Sequence, residues 1–258
     1  MKTVAEIWRS ALERHSGAAY LVQDGDGWSP LSWSEASRSI DELALGLMSL
    51  GIGRGDRVAV LSRTRVEWTL CDWALLGIGA IVVPIYPTCS PDDVTYILAD
   101  SEAVAVICED AEQLGRTRRA AHRLGCLAHF VTIEPAGGDG AHLLADLQAE
   151  GAARAVADPA AAVRARDGLG AEDVATIVYT SGTTGEPKGC VLTHGNLCAA
   201  VSSVRRVPDL VRGDDTIVLF LPLAHAFGRL CQFAGAEIGG TIAFCPDVAL
   251  VAQTLVSV

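Results

Sequence analysis

With 258 residues, half of them apolar and a fifth charged, the chain has the composition of an ordinary globular protein, long enough for a sizeable core in one large or two small domains. A formal net charge of −11 argues against nucleic acid as a partner, because a phosphate backbone demands clustered lysine and arginine. The eight cysteines, at 71, 89, 108, 126, 190, 198, 231 and 245, form no C-x-x-C pair and mostly sit in apolar segments, so they read as reduced, buried thiols of a cytoplasmic protein.

Glu6 and Arg9 interrupt the start before any apolar run develops, so no secretory signal is read there. Thr3 to His15 reads as a first helix with Val4, Ile7, Trp8 and Leu12 on one side, ended by Gly17. Tyr20 to Gln23 and Trp28 to Trp33 read as strands joined by the hairpin signal DGDG. Ser34 is placed to cap a helix whose apolar positions Ala36, Ile40, Leu43, Ala44 and Leu47 keep helical spacing until Gly51 and Gly53. Strand Arg57 to Leu61 follows.

From there helices and strands alternate: helix Val66 to Ile78, strand Ala80 to Ile85, helix Pro91 to Asp100, strand Ala103 to Cys108, helix Ala111 to Leu124 and strand Ala128 to Ile133. Ser90 at the cap, Pro91 at the first position and two aspartates in the first turn sign the second of these helices. The uncharged run Trp73 to Pro91 would be long enough to cross a bilayer, but its three prolines make it a buried helix-to-strand transition. Glu134 to Glu172, rich in Ala, Gly, Arg and Asp, reads as a surface connection with one helix at His142 to Ala149. Helix Asn196 to Arg206, strand Thr216 to Leu221, helix Gly228 to Ile238 and strand Thr241 to Cys245 resume the alternation, and an amphipathic helix with Val248, Val251, Ala252 and Leu255 closes it. The expectation is an α/β fold with mostly parallel sheets, residues 1–165 forming one subdomain with its connecting segment and 166–258 beginning a second.

The most specific stretch is TIVYTSGTTGEPKGCVLTHGN, residues 176–196. Asp173 to Tyr179 reads as a buried strand; then Thr180, Ser181, Gly182, Thr183, Thr184 and Gly185 supply four hydroxyls and two glycines, followed by Pro187, Lys188 and Gly189. Glycine lets successive amide N–H groups point into one concavity, hydroxyls add neutral donors, and Lys188 adds a point charge, together a cradle for a polyphosphate. The spacing is not G-x-x-x-x-G-K-[ST]. A Ser/Thr/Gly-rich surface hairpin is the bland alternative. In so acidic a chain an anionic nucleotide needs local cations, which increases the weight on Lys188.

This stretch resembles the phosphate-binding signature of the acyl-adenylate-forming (AMP-binding) superfamily. PLSWSEA (30–36), LLGIGAIVVPIYPT (75–88) and FLPLAHAFGR (220–229) resemble further segments of that superfamily in order and spacing, and the PLAH form is most like the N-terminal part of the long-chain fatty acyl-CoA synthetases. The resemblance implies activation of a fatty acid by ATP through an acyl adenylate, with Mg²⁺ and transfer to coenzyme A. It assigns nucleotide binding to Thr180 through Gly185, Lys188 and Gly189, the magnesium side to Thr184, catalysis to Lys188, and orientation of the carboxylate to His225. Arg229 would either supply a cation to the site or pair on the surface.

Family members carry further motifs that this sequence lacks: a Y-G-x-T-E glutamate for magnesium, a ribose-binding aspartate, a hinge and a small C-terminal domain with a catalytic lysine. The expectation is a fragment inactive alone, or one completed by a C-terminal chain; a non-catalytic nucleotide- or acyl-binding remnant and a fatty acyl-AMP ligase loading a carrier protein are the alternatives. Peripheral membrane association suits a lipid-handling enzyme, although no basic amphipathic helix speaks for it. Cys190, His194 and Cys198, at four-residue intervals, would face one side of a helix as zinc ligands, but strand character through Val191 and Leu192 breaks that geometry and leaves His194 to cap or pack at the start of the next helix.

Overall fold

Short runs of β-branched residues form the strands, and segments with apolar residues three or four apart form the helices. The computed structural model describes residues 2–25, 27–121, 124–136, 140–180, 186–207 and 210–258. Its first half runs α1 (Val4–Arg14), β1 (Ala18–Asp24), β2 (Gly27–Ser32), α2 (Trp33–Ser49), β3 (Arg57–Leu61), α3 (Val66–Gly77), β4 (Ile81–Ile85), α4 (Pro91–Asp100), β5 (Ala105–Cys108), α5 (Ala111–Ala121) and β6 (His129–Thr132). The second runs β7 (His142–Leu143), α6 (Leu144–Ala157), α7 (Ala161–Arg166), β8 (Val174–Thr180), β9 (Lys188–Thr193), α8 (His194–Val204), β10 (Thr216–Leu219), α9 (Ala226–Ile238), β11 (Thr241–Phe244), a 3₁₀ turn Val248–Leu250 and α10 (Val251–Ser257).

Two sheets result, one of seven strands in the order β7-β6-β5-β3-β4-β8-β9 and one of four in the order β10-β11-β1-β2. Pairing is parallel except in the two hairpins, β1–β2 and β8–β9. Strands from both sides of residue 165 enter both sheets: β8 lies beside β4, and β11 beside β1. Along β3, Val58 and Val60 face the core shared with α1, α2, α3 and α9, whereas Ala59 and Leu61 face α4 and α5, so this strand is apolar on both faces, as parallel strands covered by helices are. Between the sheets Trp8 packs on Tyr20, Trp33 and Trp73, Trp73 meets Phe233 edge-on, and the Trp73 indole donates to the Tyr20 hydroxyl at 3.0 Å.

Several boundaries move for identifiable reasons. The cap of α2 is Ser32, not Ser34: the Ser32 hydroxyl accepts from the Glu35 amide and the Glu35 carboxylate accepts from the Ser32 amide, a reciprocal capping box. Ala11 rather than Leu12 completes the buried side of α1. His194 and Ala226 begin α8 and α9 earlier than expected, capped by Thr193 and His225. In α10 the buried residue is Thr254, while Val248, Ala252 and Leu255 face solvent. Cys190 is exposed rather than buried, and it lies on strand β9, whereas His194 and Cys198 lie buried on α8.

The segment 134–172 is more than a surface connection. It forms α6, running on to Ala157, and α7. Helix α6 lies so close on α2 that a Cβ on Gly151 would stand 1.7 Å from the Glu42 carbonyl oxygen, and one on Gly46 2.0 Å from that of Leu147. Arg154 and Gln148 close the contact by donating to the Leu45 carbonyl and the Glu42 carboxylate.

His194 begins α8 with no solvent exposure, and its Nδ1 accepts from the Val4 amide at 3.3 Å, which ties α8 to the start of α1. Burial pushes the imidazole down to about 4, against the attraction of Asp173.

Two tests follow from this packing. At an exposed helical site alanine would gain up to about 1 kcal/mol over glycine; Gly151→Ala is instead expected to cost about 2 kcal/mol in urea unfolding, because two helix backbones must part. Because His194 stays neutral in the fold while the unfolded chain takes up its proton near pH 6.5, stability is present above that pH and falls on acidification; about 2 kcal/mol is expected to disappear between pH 7.5 and 5. His15, also held below its ordinary value by burial, has the same sign, so the difference in slope between the wild type and His194→Gln isolates the His194 share.

Candidate active site

The carboxyl ends of the two sheets converge. The loop after β3 is tied to the loop after β10 by the Thr64 hydroxyl, which donates to the Leu221 carbonyl at 2.9 Å. Strand β8 runs parallel to β4 and β3, so the hairpin that follows it opens at this same edge, as does the segment 220–225 that leads into α9. Ligands of open α/β sheets bind outside the carboxyl ends of strands.

Thr180 ends β8 and Lys188 begins β9 as directly paired residues, so the expected phosphate loop is the mouth of an antiparallel hairpin. Ser181, Gly182, Thr183, Thr184 and Gly185 lie outside the described residues. Both Thr180 and Lys188 are exposed, and the Lys188 ammonium makes no hydrogen bond or ion pair among the described residues. Gly189 pairs with Tyr179; a Cβ there would meet Ile177 Cγ2 at 2.7 Å and Tyr179 Cζ at 3.2 Å. The Tyr179 hydroxyl donates to Asp100 at 2.6 Å, and burial followed by that neighbour raises its pKa. The hairpin base is thus fastened to α4. A cavity of about 290 Å³ lies beside it, lined by Tyr86, Cys89, Asp93, Ile97, Tyr179 and Pro187.

The cations of the loop after β3, Arg63 and Arg65, differ sharply from Lys188. Glu109, 3% exposed, receives Arg63 at Nε and at the backbone amide, and Arg65 at 3.4 Å; burial pushes its carboxyl up, yet these bonds hold it below the ordinary carboxylate range. Arg65 also engages Glu67 and Glu134. Arg63, Arg65, Glu67 and Glu109 line a cavity of about 240 Å³ against Val22 and Phe244.

His225 is exposed at the N-cap of α9, where its Nδ1 accepts from the Phe227 amide at 3.1 Å. That bond leaves Nε2 as the protonated nitrogen of the neutral ring. Arg229, one turn on, neither reaches the site as a free cation nor pairs on the surface: it is 1% exposed and bonded through Nε and Nη2 to Asp72 of α3, at 3.0 and 2.5 Å. Sequence reading missed Asp72. A lone carboxylate in the otherwise apolar WTLCDWALLG was the available signal. Among the described residues no group of three or more His, Cys, Asp or Glu is arranged to hold a metal, and the Mg²⁺ assignment to Thr184 falls on an undescribed residue.

The hairpin geometry predicts that Gly189→Ala costs about 1–3 kcal/mol in denaturant unfolding, since Ile177 and Tyr179 must give way, against about 1 kcal/mol for Tyr179→Phe, which removes one hydrogen bond. Wild-type stability in Gly189→Ala would show that the cross-strand space is not limiting.

Similarity to known proteins agrees with this layout. The AMP-binding enzyme family matches residues 8–257. A long-chain-fatty-acid–CoA ligase, FadD15, of Mycobacterium bovis is 38% identical over 222 residues, 86% of this chain and 36% of its own length. The N-terminal domain of FACL13 from Mycobacterium tuberculosis superposes with a TM-score of 0.79 at 28% identity, over 99% of this chain and 60% of that one. The anthranilate CoA ligase AuaEII, in complex with anthranoyl-AMP, gives 0.83 at 23% identity, over 99% of this chain and 47% of that one, a likeness of fold alone. The chain therefore spans little more than a third of the curated relative's length. With its fold and nearly all of its residues in agreement, it belongs to the AMP-binding enzymes.

Proposed function

We propose that this chain carries the polyphosphate-binding and acid-positioning part of an AMP-forming long-chain fatty acid–CoA ligase. The observation that carries the reading is the exposed Lys188 opposite Thr180 at the hairpin mouth, its ammonium without a partner among the described residues, in a chain where Arg63, Arg65 and Arg229 are committed to carboxylates. A cation held free in so acidic a protein is suited to an anionic ligand. Thr180 and Lys188 would hold the phosphates of ATP, with Ser181 through Gly185 and Gly189 completing the cradle. His225, with Nε2–H directed away from its capping bond, would donate to the carboxylate and orient it toward the α-phosphate. Attack by a carboxylate oxygen forms the acyl–phosphate bond as pyrophosphate leaves; the thiol of coenzyme A then displaces AMP. Positioning and charge neutralisation carry such chemistry, and Mg²⁺, on the Thr184 side, would add to the neutralisation when bound.

A long-chain acid as substrate is supported by an apolar groove of about 200 Å³ along α9. It is lined by Phe227, Leu230 and Ile238 with Val204, Leu210 and Ile217, and begins two residues past His225. Among the described residues no helix is long and apolar enough to cross a membrane.

Equilibrium ATP binding and fatty-acid-dependent exchange of labelled pyrophosphate into ATP test the reading. A charge-assisted phosphate bond contributes about 1.5–3 kcal/mol, so Lys188→Ala is expected to weaken ATP binding about 10- to 100-fold. Equal binding by wild type and variant would overturn the role of Lys188. ATP binding without exchange would mark the chain as a nucleotide- and acyl-binding module.

A further inference from the structure

Helix α9 carries its two buried charges in the wrong places for a helix. Arg229 lies near its N-terminus and Glu237 near its C-terminus, each at the end where the backbone dipole disfavours that sign. Both are bound to other elements. Glu237, 2% exposed, takes Arg14 of α1 at 2.9 Å and Arg205, which follows α8, at 2.7 Å. Arg229 and Gln232, three residues apart on one face of α9, both bond Asp72, and the Thr69 hydroxyl donates to Gln232 Oε1 at 3.0 Å. Trp68 and Phe233 rings lie 5.8 and 5.4 Å from the guanidinium carbon and exclude water from the pair.

A buried ion pair is a poor stabiliser, because desolvation of both charges offsets their attraction and apolar substitutes often serve as well. What a two-pronged guanidinium on a fixed carboxylate does supply is orientation. The first turn of α9 needs it. His225 is exposed, and its ring is set by its bond to the Phe227 amide, while its carbonyl accepts the Arg229 amide at 3.3 Å. A roll of α9 about its axis therefore swings the imidazole across the edge where the hairpin opens.

We propose that Arg229, gripped by Asp72, is a positioning residue that fixes the rotation of α9 and thereby aims His225 at the carboxylate of the acid substrate. The proposal rests on the role given to His225 above and adds a group that touches neither substrate.

The test uses the full chain with Asp72 and Arg229 replaced together by apolar residues of similar size, Asp72→Leu/Arg229→Met, which leaves no charge buried alone. Three quantities are read: thermal unfolding, the ring ¹⁵N shifts of His225, and affinity for palmitate. The expected result is cooperative unfolding within a few degrees of wild type, with the bond from the Phe227 amide to His225 Nδ1 kept because it lies within α9, the His225 ring shifts displaced by the changed surroundings of the rolled helix, and palmitate bound about tenfold more weakly. A folded double variant whose His225 shifts are unchanged would overturn the proposal and leave the pair a packing feature. If the double variant does not unfold cooperatively, Arg229→Lys decides, because it keeps the charge without the two-pronged grip; unchanged His225 shifts there would overturn the proposal equally. The ring spectrum needs no turnover. A wild type that binds neither ATP nor palmitate would count against the functional reading while the His225 shifts still decide the positioning role.

Discussion

The bond between Asp72 and Arg229 joins the two sheets through the helices packed between them. Asp72 belongs to α3, which runs from β3 to β4 of the seven-stranded sheet, and Arg229 to α9, which runs from β10 to β11 of the four-stranded one. Both are buried among Trp68, Trp73 and Phe233, where either charge alone would cost about 3–5 kcal/mol. The pair therefore admits few alternatives: the helices can meet only where guanidinium and carboxylate meet. Hydrophobic packing of Trp8, Tyr20 and Trp73 would tolerate a small slide of one layer over the other, since area-driven attraction is non-directional. A buried ion pair does not.

That constraint matters because no single sheet holds the candidate site. The hairpin with Thr180 and Lys188 extends the larger sheet, whereas His225 follows a strand of the smaller. Thr64 to Leu221 ties the two edges near the chemistry, and Asp72 to Arg229 ties them one layer below. Electrostatics divide in the same way. In a chain of net charge −11, the guanidinium groups of Arg63, Arg65 and Arg229 are engaged by carboxylates, which fixes loops and helices but leaves them little to offer a ligand. The ammonium of Lys188, a compact charge on a flexible stem, is suited to follow phosphate oxygens as they move.

What could be read from the sequence follows the range of the interaction involved. Ser90, Pro91 and the two aspartates mark the start of α4 because all the groups that make the cap lie within four residues. Ser32 to Glu35 carries an equally local signal, yet Trp33 continues an alternating pattern and drew the strand one residue too far. The break between β8 and β9 was legible as a density of Gly, Ser and Thr ahead of Pro-Lys-Gly. Of helix α6 only the first half was, as the helix expected at His142 to Ala149; Gly151 and the alanines beyond it read as loop until α2 is placed against them, for the glycine is there for the Glu42 carbonyl, more than a hundred residues away in the chain. Arg229 read as either a cation for the site or a surface pair for the same reason, with its partner 157 residues away.

Gly189 shows how local and tertiary reasons can coincide in one residue. Its lack of a side chain suits a backbone meant to approach an anion, the reason a glycine is sought beside a phosphate loop. The fold supplies a second reason: Ile177 and Tyr179 occupy the space a Cβ would take, and Tyr179 is anchored to Asp100. The first requirement acts on the ligand side of the hairpin and the second on the core side. Any side chain at 189 would therefore disturb the pairing of Thr180 with Lys188 from behind, whether or not a phosphate is bound. The spacing of Thr180 and Lys188 is thus set by packing inside the protein, which is the preorganisation that a polyphosphate site at this hairpin would require.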